Sequence, residues 1–271
     1  MAGVKLEDPS TGSSSSAEGR ESVARDSGRL IINADDWGRE RETTDRTLEC
    51  ALCGTISSVS AMVFMSDSER AAGIARERGI DTGLHVNLTT LFTGPTCSLE
   101  LQKRQRELAL YLLRHRFSQI VFHPRLRRSF EYVVSAQIDE FHRLYGTAPS
   151  RLDGHHHMHL CANVLMGKLI PHGIIVRRNF SFPPGAKSWP NRFYRQTVDH
   201  ILARHHHLTD FFFSLVPLEP PARLQRIFSL ARQFAVEVEV HPANPEEHQF
   251  LAGGEIFRFA GDVRIARGFA V

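Results

Sequence analysis

Arg29-Leu-Ile-Ile-Asn-Ala-Asp-Asp-Trp37 is the stretch on which the reading of this chain turns. A short apolar run, Leu30 to Ile32, is the signature of a buried parallel strand, and it leads straight into Asn33, Asp35 and Asp36. Polar groups at the carboxyl end of such a strand stand where α/β folds gather their ligands.

The pattern recurs downstream. A helix is predicted over about 42–53, ended by Gly54, then a strand from Ile56 to Met65. Ser68 to Arg78 reads as an amphipathic helix stopped by Gly79, and Asp81 to Leu88 as a strand carrying His85. Helical periodicity covers 98–116 and 129–145, broken between them by Phe122-His123-Pro124. A strand over Ser150–His155, a helix at 160–171 and a strand over Gly173–Arg177 follow. Pro183, Pro184 and Pro190 mark a loop before a helix at 192–205, a strand at Phe211–Leu215, a helix at 221–233 and a strand at Ala235–His241. Repeated β-then-α units predict an α/β fold: a deformed or incomplete (β/α) TIM-like barrel of six or seven parallel strands with outer helices. No internal repeat is present.

Residues 1–27 are rich in Ser, Gly, Glu and Asp, including Ser13 to Ser16, and are expected to form a disordered N-terminal tail. Residues 28–271 are then expected to form a single domain, a length that supports a full core. Lys and Arg number 33 against 30 Asp and Glu, so bulk charge makes no case for nucleic acid, and no basic stripe or aromatic-basic platform is visible. The run Arg125, Arg127, Arg128 reads as solvated surface. The four cysteines are too few and scattered for a disulfide framework. Cys50 and Cys53 lie in a helical stretch with no second pair and read as buried thiols. No apolar window of about twenty residues predicts a transmembrane span, and no signal peptide is apparent, so a cytoplasmic location is expected.

Fifteen histidines stand out, clustered as His155–His157 with His159 and as His205–His207. The second cluster sits at a predicted helix end without a carboxylate beside it, where the helix dipole accounts for it. The first belongs to a larger arrangement. Asp35-Asp36, His85, Asp153-Gly-His155 and His241-Pro-Ala243 each end a predicted strand. A strand-end histidine alone is more often structural, and an Asp pair alone is as well explained by helix capping. Four such sets on one carboxyl edge converge on one cleft. A carboxylate and two imidazoles from three strands make an open metal site, with positions left for water and a substrate oxygen. Adjacent Asp35 and Asp36 suit a division of labour in which one binds metal and the other faces the attacking water.

Asn33-Ala-Asp-Asp-Trp-Gly38, Gly83–Thr89, Leu152-Asp-Gly-His-His-His-Met-His159 and His241-Pro-Ala243 together resemble the four motifs of the YdjC-like (ChbG-type) carbohydrate deacetylases, in order, over about 29 to 245. The resemblance implies a deformed (β/α) barrel that removes N-acetyl groups from amino sugars such as chitooligosaccharides; relatives also act on acetylglucosamine-bearing lipids. It implies Asp36, His85 and His155 as metal ligands and Asp35 as general base. His241 is implied as general acid or substrate-orienting donor, and Arg177 as an arginine near the sugar. His157 shares strand parity with His155, so it is expected to line the pocket or to support the ligands from behind. One divalent metal is implied: magnesium by resemblance, whereas the imidazoles suit zinc or another transition ion. The implied partner is an acetylated amino sugar, with a homodimer as the implied assembly. Trp37 stands where Phe is usual, Gly154 where Ser is frequent, and Phe257–Val271 does not match the family's closing helix and strand. The alternatives are a metal-dependent phosphoesterase or amidohydrolase on a similar barrel, and a sugar-binding relative without turnover. The first needs more carboxylate ligands than are visible, and the intact Asp35 argues against the second.

Overall fold

Parallel strands alternate with helices throughout the computed structural model, which describes residues 28–115, 117–182 and 185–269. The expected tail over 1–27 and the prolines Pro183 and Pro184 lie outside the described residues. The elements run β1 (Arg29–Trp37), α1 (Arg41–Leu52), β2 (Ser58–Ala61), α2 (Ser68–Arg78), β3 (Thr82–Val86), α3 (Leu99–Arg114) and α4 (Arg127–Tyr145). They continue with β4 (Arg151–Gly154), α5 (Ala162–Met166), β5 (Ile175–Val176), α6 (Trp189–Ala203), β6 (Phe211–Ser214), α7 (Pro221–Leu230), β7 (Ala235–Val240), α8 (Pro245–Ala252) and α9 (Glu255–Ala260). The strands form one seven-stranded sheet in the order β5-β4-β3-β2-β1-β7-β6, every pair parallel. That order is a barrel cut between β5 and β6. The cut is stitched rather than laddered: Ile175 bridges to His207, and the Ser181 amide donates to the Phe212 carbonyl at 2.8 Å.

The period of two along each strand sorts the side chains. Leu30, Ile32, Ala34, Val59, Ala61, Leu84, Val86, Leu152, Val176, Val236, Val238 and Val240 belong to the apolar core shared with the helices. Alternating with them are buried Asn33, Asp35, Ser58, Ser60, His85, Arg151, Asp153, Arg177, Glu237 and Glu239. These meet across the strands through hydrogen bonds and ion pairs, so the barrel is filled by a polar network rather than by layers of branched aliphatics. Gly83 makes room for it: a Cβ there would lie 2.7 Å from the Arg151 Nε.

The segment 265–269 closes the barrel floor. Ile265 bridges to Leu30, and the Phe269 amide donates to Asp81 Oδ2 at 2.8 Å. The Arg151 guanidinium sits 4.2 Å from the Phe269 ring centroid. Thus, within the stretch from Phe257 that matched no expected closing element, the described residues form the second half of α9 and then a plug.

Local differences from the expected elements have physical causes. The strand expected over Ile56–Met65 pairs only over Ser58–Ala61, because the chain then bends, with Phe64 at φ 59°. The helix expected at 160–171 is a 3-10 turn over His155–Leu160 followed by the five-residue α5. Cys50, Cys97 and Cys161 are buried, but Cys53 falls just past the end of α1 and is exposed, which corrects its reading as a buried thiol.

Candidate active site and metal centre

A bulge at the end of β1 builds the site. Ala34 pairs with Val59 but Trp37 pairs with Ala61, so β1 carries one extra residue at Asp35-Asp36. Asp36 takes φ 64°, in the left-handed region an aspartate tolerates better than most side chains. Both carboxylates are thereby buried at one strand end, Asp35 toward the barrel interior and Asp36 toward the histidines.

Asp36 Oδ1 lies 2.9 Å from His155 Nδ1 and 3.4 Å from His85 Nε2. Despite this closeness the oxygen is buried without a hydrogen-bond partner. One donor atom from each of these three residues falls within 4.8 Å of the others, a spacing that can hold a metal ion. Behind them, His85 Nδ1 donates to Asp153 Oδ1 at 2.7 Å, which orients the ring with Nε2 toward Asp36. An orphaned carboxylate oxygen, an oriented imidazole and a second imidazole fit a divalent cation. A second grouping, Asp35, His85 and Asp153, is also close enough to hold one. It fits less well, since Asp35 and Asp153 already receive Arg177 and His85.

Arg177 lies at the centre of the network, 2% exposed. Its NH1 donates to Asp35 Oδ2 at 2.6 Å and its NH2 to Asp35 Oδ1 at 2.7 Å. The same guanidinium reaches Asp153 at 3.0 Å, Glu237 at 2.7 Å and Glu239 at 3.4 Å. Burial would raise the Asp35 carboxyl, yet the Arg177 charge outweighs it and holds Asp35 below the usual carboxylate range. Asp153 is lowered in the same way by Arg177 and His85 against its own burial. Glu237 and Glu239 go the other way, pushed up by burial, Glu239 also by the Asp35 charge. The negative charge therefore concentrates on Asp35 and Asp153. Burial pulls His85 toward the neutral form, but Asp35 and Asp153 overcome it and raise its pKa to about 10.

His241, at the end of β7, brings its Nε2 to 3.9 Å from Asp35 Oδ2 and remains 38% exposed. Its backbone amide is held by Glu247 Oε2 at 2.9 Å. Asp35, Asp36, His85, His155 and His241 thus come together at the carboxyl edge of the sheet, from the ends of β1, β3, β4 and β7. Arg177 is brought beneath them, with its donors spent on carboxylates, and offers the cleft almost no surface. His157 does border the cleft, though strand parity does not put it there: His156 and His157 both have positive φ, 52° and 57°, in the turn after β4. His157 packs edge-on to Phe180 with centroids 4.7 Å apart, and burial pushes its pKa down to about 3. A cleft of about 680 Å³ opens beside this turn, lined by His156, His157, Asn179, Phe180, Tyr194 and Arg195 among others.

The sequence reading passed over the network itself. Glu237 and Glu239 had a visible signal, because Val-Glu-Val-Glu-Val-His241 alternates through a strand and sends both carboxylates and His241 to one face. Asn33, which donates to Asp35 at 2.9 Å and to Ser60 at 2.8 Å, and Ser60, which donates to Asp153 at 2.6 Å, carry no signal distinguishing them from ordinary strand-end polar residues.

A parallel barrel with a carboxylate–imidazole triad at its strand ends brings together residues that could hold a cation near a cleft of about 680 Å³. The chain belongs to the YdjC-like protein family, whose model matches residues 29–264. A carbohydrate deacetylase of Mus musculus is 33% identical over 142 residues, which cover 50% of this chain and 44% of that protein. A chitooligosaccharide deacetylase of Serratia marcescens is 32% identical over 139 residues, 48% of this chain and 50% of that protein. These matches thus span about half the length of the curated relatives. A carbohydrate deacetylase of Clostridium beijerinckii matches more widely, 24% identical over 79% of this chain and 81% of its own. An Enterococcus faecalis structure described as a cellobiose-phosphate cleavage protein shares the fold, with a TM-score of 0.66 at 17% identity, covering 89% of this chain and 97% of that one.

Proposed function

We propose that this protein is a carbohydrate deacetylase that hydrolyses the N-acetyl amide of amino sugars with the help of one divalent cation held by Asp36, His85 and His155. The observation that carries the reading is Asp35: a carboxylate kept ionised by Arg177, beside the triad and 3.9 Å from His241. The deacetylase names of the relatives support it. The bound cation supplies Lewis acidity to the amide carbonyl and to water. Two imidazole ligands favour a transition ion such as zinc over magnesium.

The chain's own residues do the rest. Asp35 takes the proton of the attacking water as that oxygen bonds to the acetyl carbon. His241, 38% exposed and with its Nε2 3.9 Å from Asp35 Oδ2, gives a proton to the departing nitrogen as the C–N bond breaks. Acetate and a free amino sugar result. Arg177 acts from below as a positioning residue that fixes Asp35, and the sugar lies in the cleft over His156 and His157.

Acetate release from N-acetylglucosamine oligomers, with and without chelator and metal add-back, tests the proposal. Chelator-sensitive release restored by one metal equivalent is expected. A metal-loaded protein that releases acetate from no acetylated sugar would sink it.

A further inference from the structure

The outward face of α3 has no place in that chemistry, and its composition is unusual for a helix facing water. Leu99, Lys103, Arg106, Leu110, Leu113 and Arg114 recur at helical spacing and are all exposed, opposite Leu101, Leu108 and Leu112, which are buried. The three leucines are 84%, 70% and 59% exposed. The acidic residues of the helix lie off the stripe: Glu100 pairs with Arg104 at 2.6 Å, and Glu107 accepts from Ser129 at 3.0 Å. Among the described residues no carboxylate forms an ion pair with Lys103, Arg106 or Arg114. A face of about 24 Å, at 1.5 Å per residue, therefore carries only leucines, cations and Gln102.

This face borders the mouth of the site. Thr89, whose hydroxyl is 3.0 Å from His156 Nδ1, and Leu91 flank a shallow groove against Arg106, Leu110, Leu113 and Arg114. Past the helix, exposed Phe117 and Ile120 line the sugar cleft itself.

We infer that the α3 face docks on an anionic lipid bilayer, with the leucines in the headgroup–acyl boundary and the cations on lipid phosphates. Mixed leucine and cation stripes of this kind lie in the interface plane, and long basic side chains reach from the apolar boundary to the headgroups. A nucleic acid would match the cations but leave the leucines in water. No helix among the described residues is long and apolar enough to cross a membrane. Docking by α3 places the mouth of the cleft next to the lipid surface.

Sedimentation of the full chain with phosphatidylcholine vesicles, with and without phosphatidylglycerol, tests this without requiring turnover, so it stands or falls separately from the deacetylase reading. Binding is expected only to vesicles with phosphatidylglycerol, with partitioning reduced roughly ten-fold or more by high salt, by L110E/L113E and by R106Q/R114Q. Both variants alter exposed side chains, and unchanged circular dichroism and melting temperature verify that they fold. Absence of binding to phosphatidylglycerol vesicles, equal binding to neutral ones, or equal binding by L110E/L113E overturns the inference. So does a wild-type dimer that L110E/L113E converts to monomer, since a second copy would then cover the face.

Discussion

Asp35 and Asp36 are chain neighbours with different surroundings, and substitutions should separate them. Asp35→Asn removes the proton acceptor but not the Asp36 oxygen, so acetate release should fall about 10²- to 10⁴-fold while metal affinity by calorimetry changes little. Wild-type turnover in that variant would remove Asp35 from the mechanism. His159 gives a second test. Its Nε2 donates to the Arg177 carbonyl at 2.9 Å, its Nδ1 is buried without a partner, and burial lowers its pKa to about 4. Between the ordinary histidine value and 4, the unfolded chain binds a proton that the folded one refuses, so the contribution of His159 to stability falls as pH drops through that window. One such proton contributes a slope of about 1.4 kcal/mol per pH unit. Urea unfolding of the metal-free protein at several pH values should show His159→Gln with a shallower slope than wild type. Identical slopes would mean that His159 titrates normally.

Elements differ in how openly the sequence announces them. β1, β3 and β7 are legible because apolar residues alternate with, or lead into, polar ones at a period only a strand satisfies. The positions of Asp36, His85 and His155 followed from that, since a strand end is a place in the fold and not merely in the sequence. The turn after β4 was not legible: consecutive left-handed histidines are an outcome of packing that no local preference announces, and period-two parity failed there. The polar barrel interior was hidden for another reason. Arg151, Arg177 and Asp153 look like surface residues one at a time, and become core residues only when the sheet curls and their charges meet. β3 offers a test of that packing. Arg151 donates to the Val59 carbonyl at 2.7 Å and to Asn33 at 3.2 Å, so its guanidinium cannot simply swing away from a Cβ at Gly83. Gly83→Ala should cost about 1–3 kcal/mol in urea unfolding, as overpacking does. A neutral effect would show that the Arg151 end of the network is soft.

At the scale of the whole molecule the barrel has a chemical end and a structural end. The carboxyl ends of the strands hold Asp36, His85, His155 and His241, and the opposite end is stopped by the segment around Gly268 and Phe269. Phe269 is buried against the Arg151 guanidinium, its carbonyl accepts from Arg29 NH1 at 2.9 Å, and Gly268 lies so close to Asp81 that a Cβ there would sit 2.9 Å from the carboxylate oxygen. The plug shields a floor containing buried Arg151, and without it water would reach the lower part of the charge network. Phe269→Ala should therefore destabilise the fold by about 3–5 kcal/mol, the range for a buried phenylalanine. The two ends are separated by the length of the strands, so the ligands and Asp35 should keep their places. Urea midpoint and the KM for an acetylated oligomer, measured on one preparation, distinguish the two ends. A lowered midpoint with unchanged KM fits a structural plug, whereas a large rise in KM would show that the floor and the cleft are coupled through Arg151, Asn33 and Asp35.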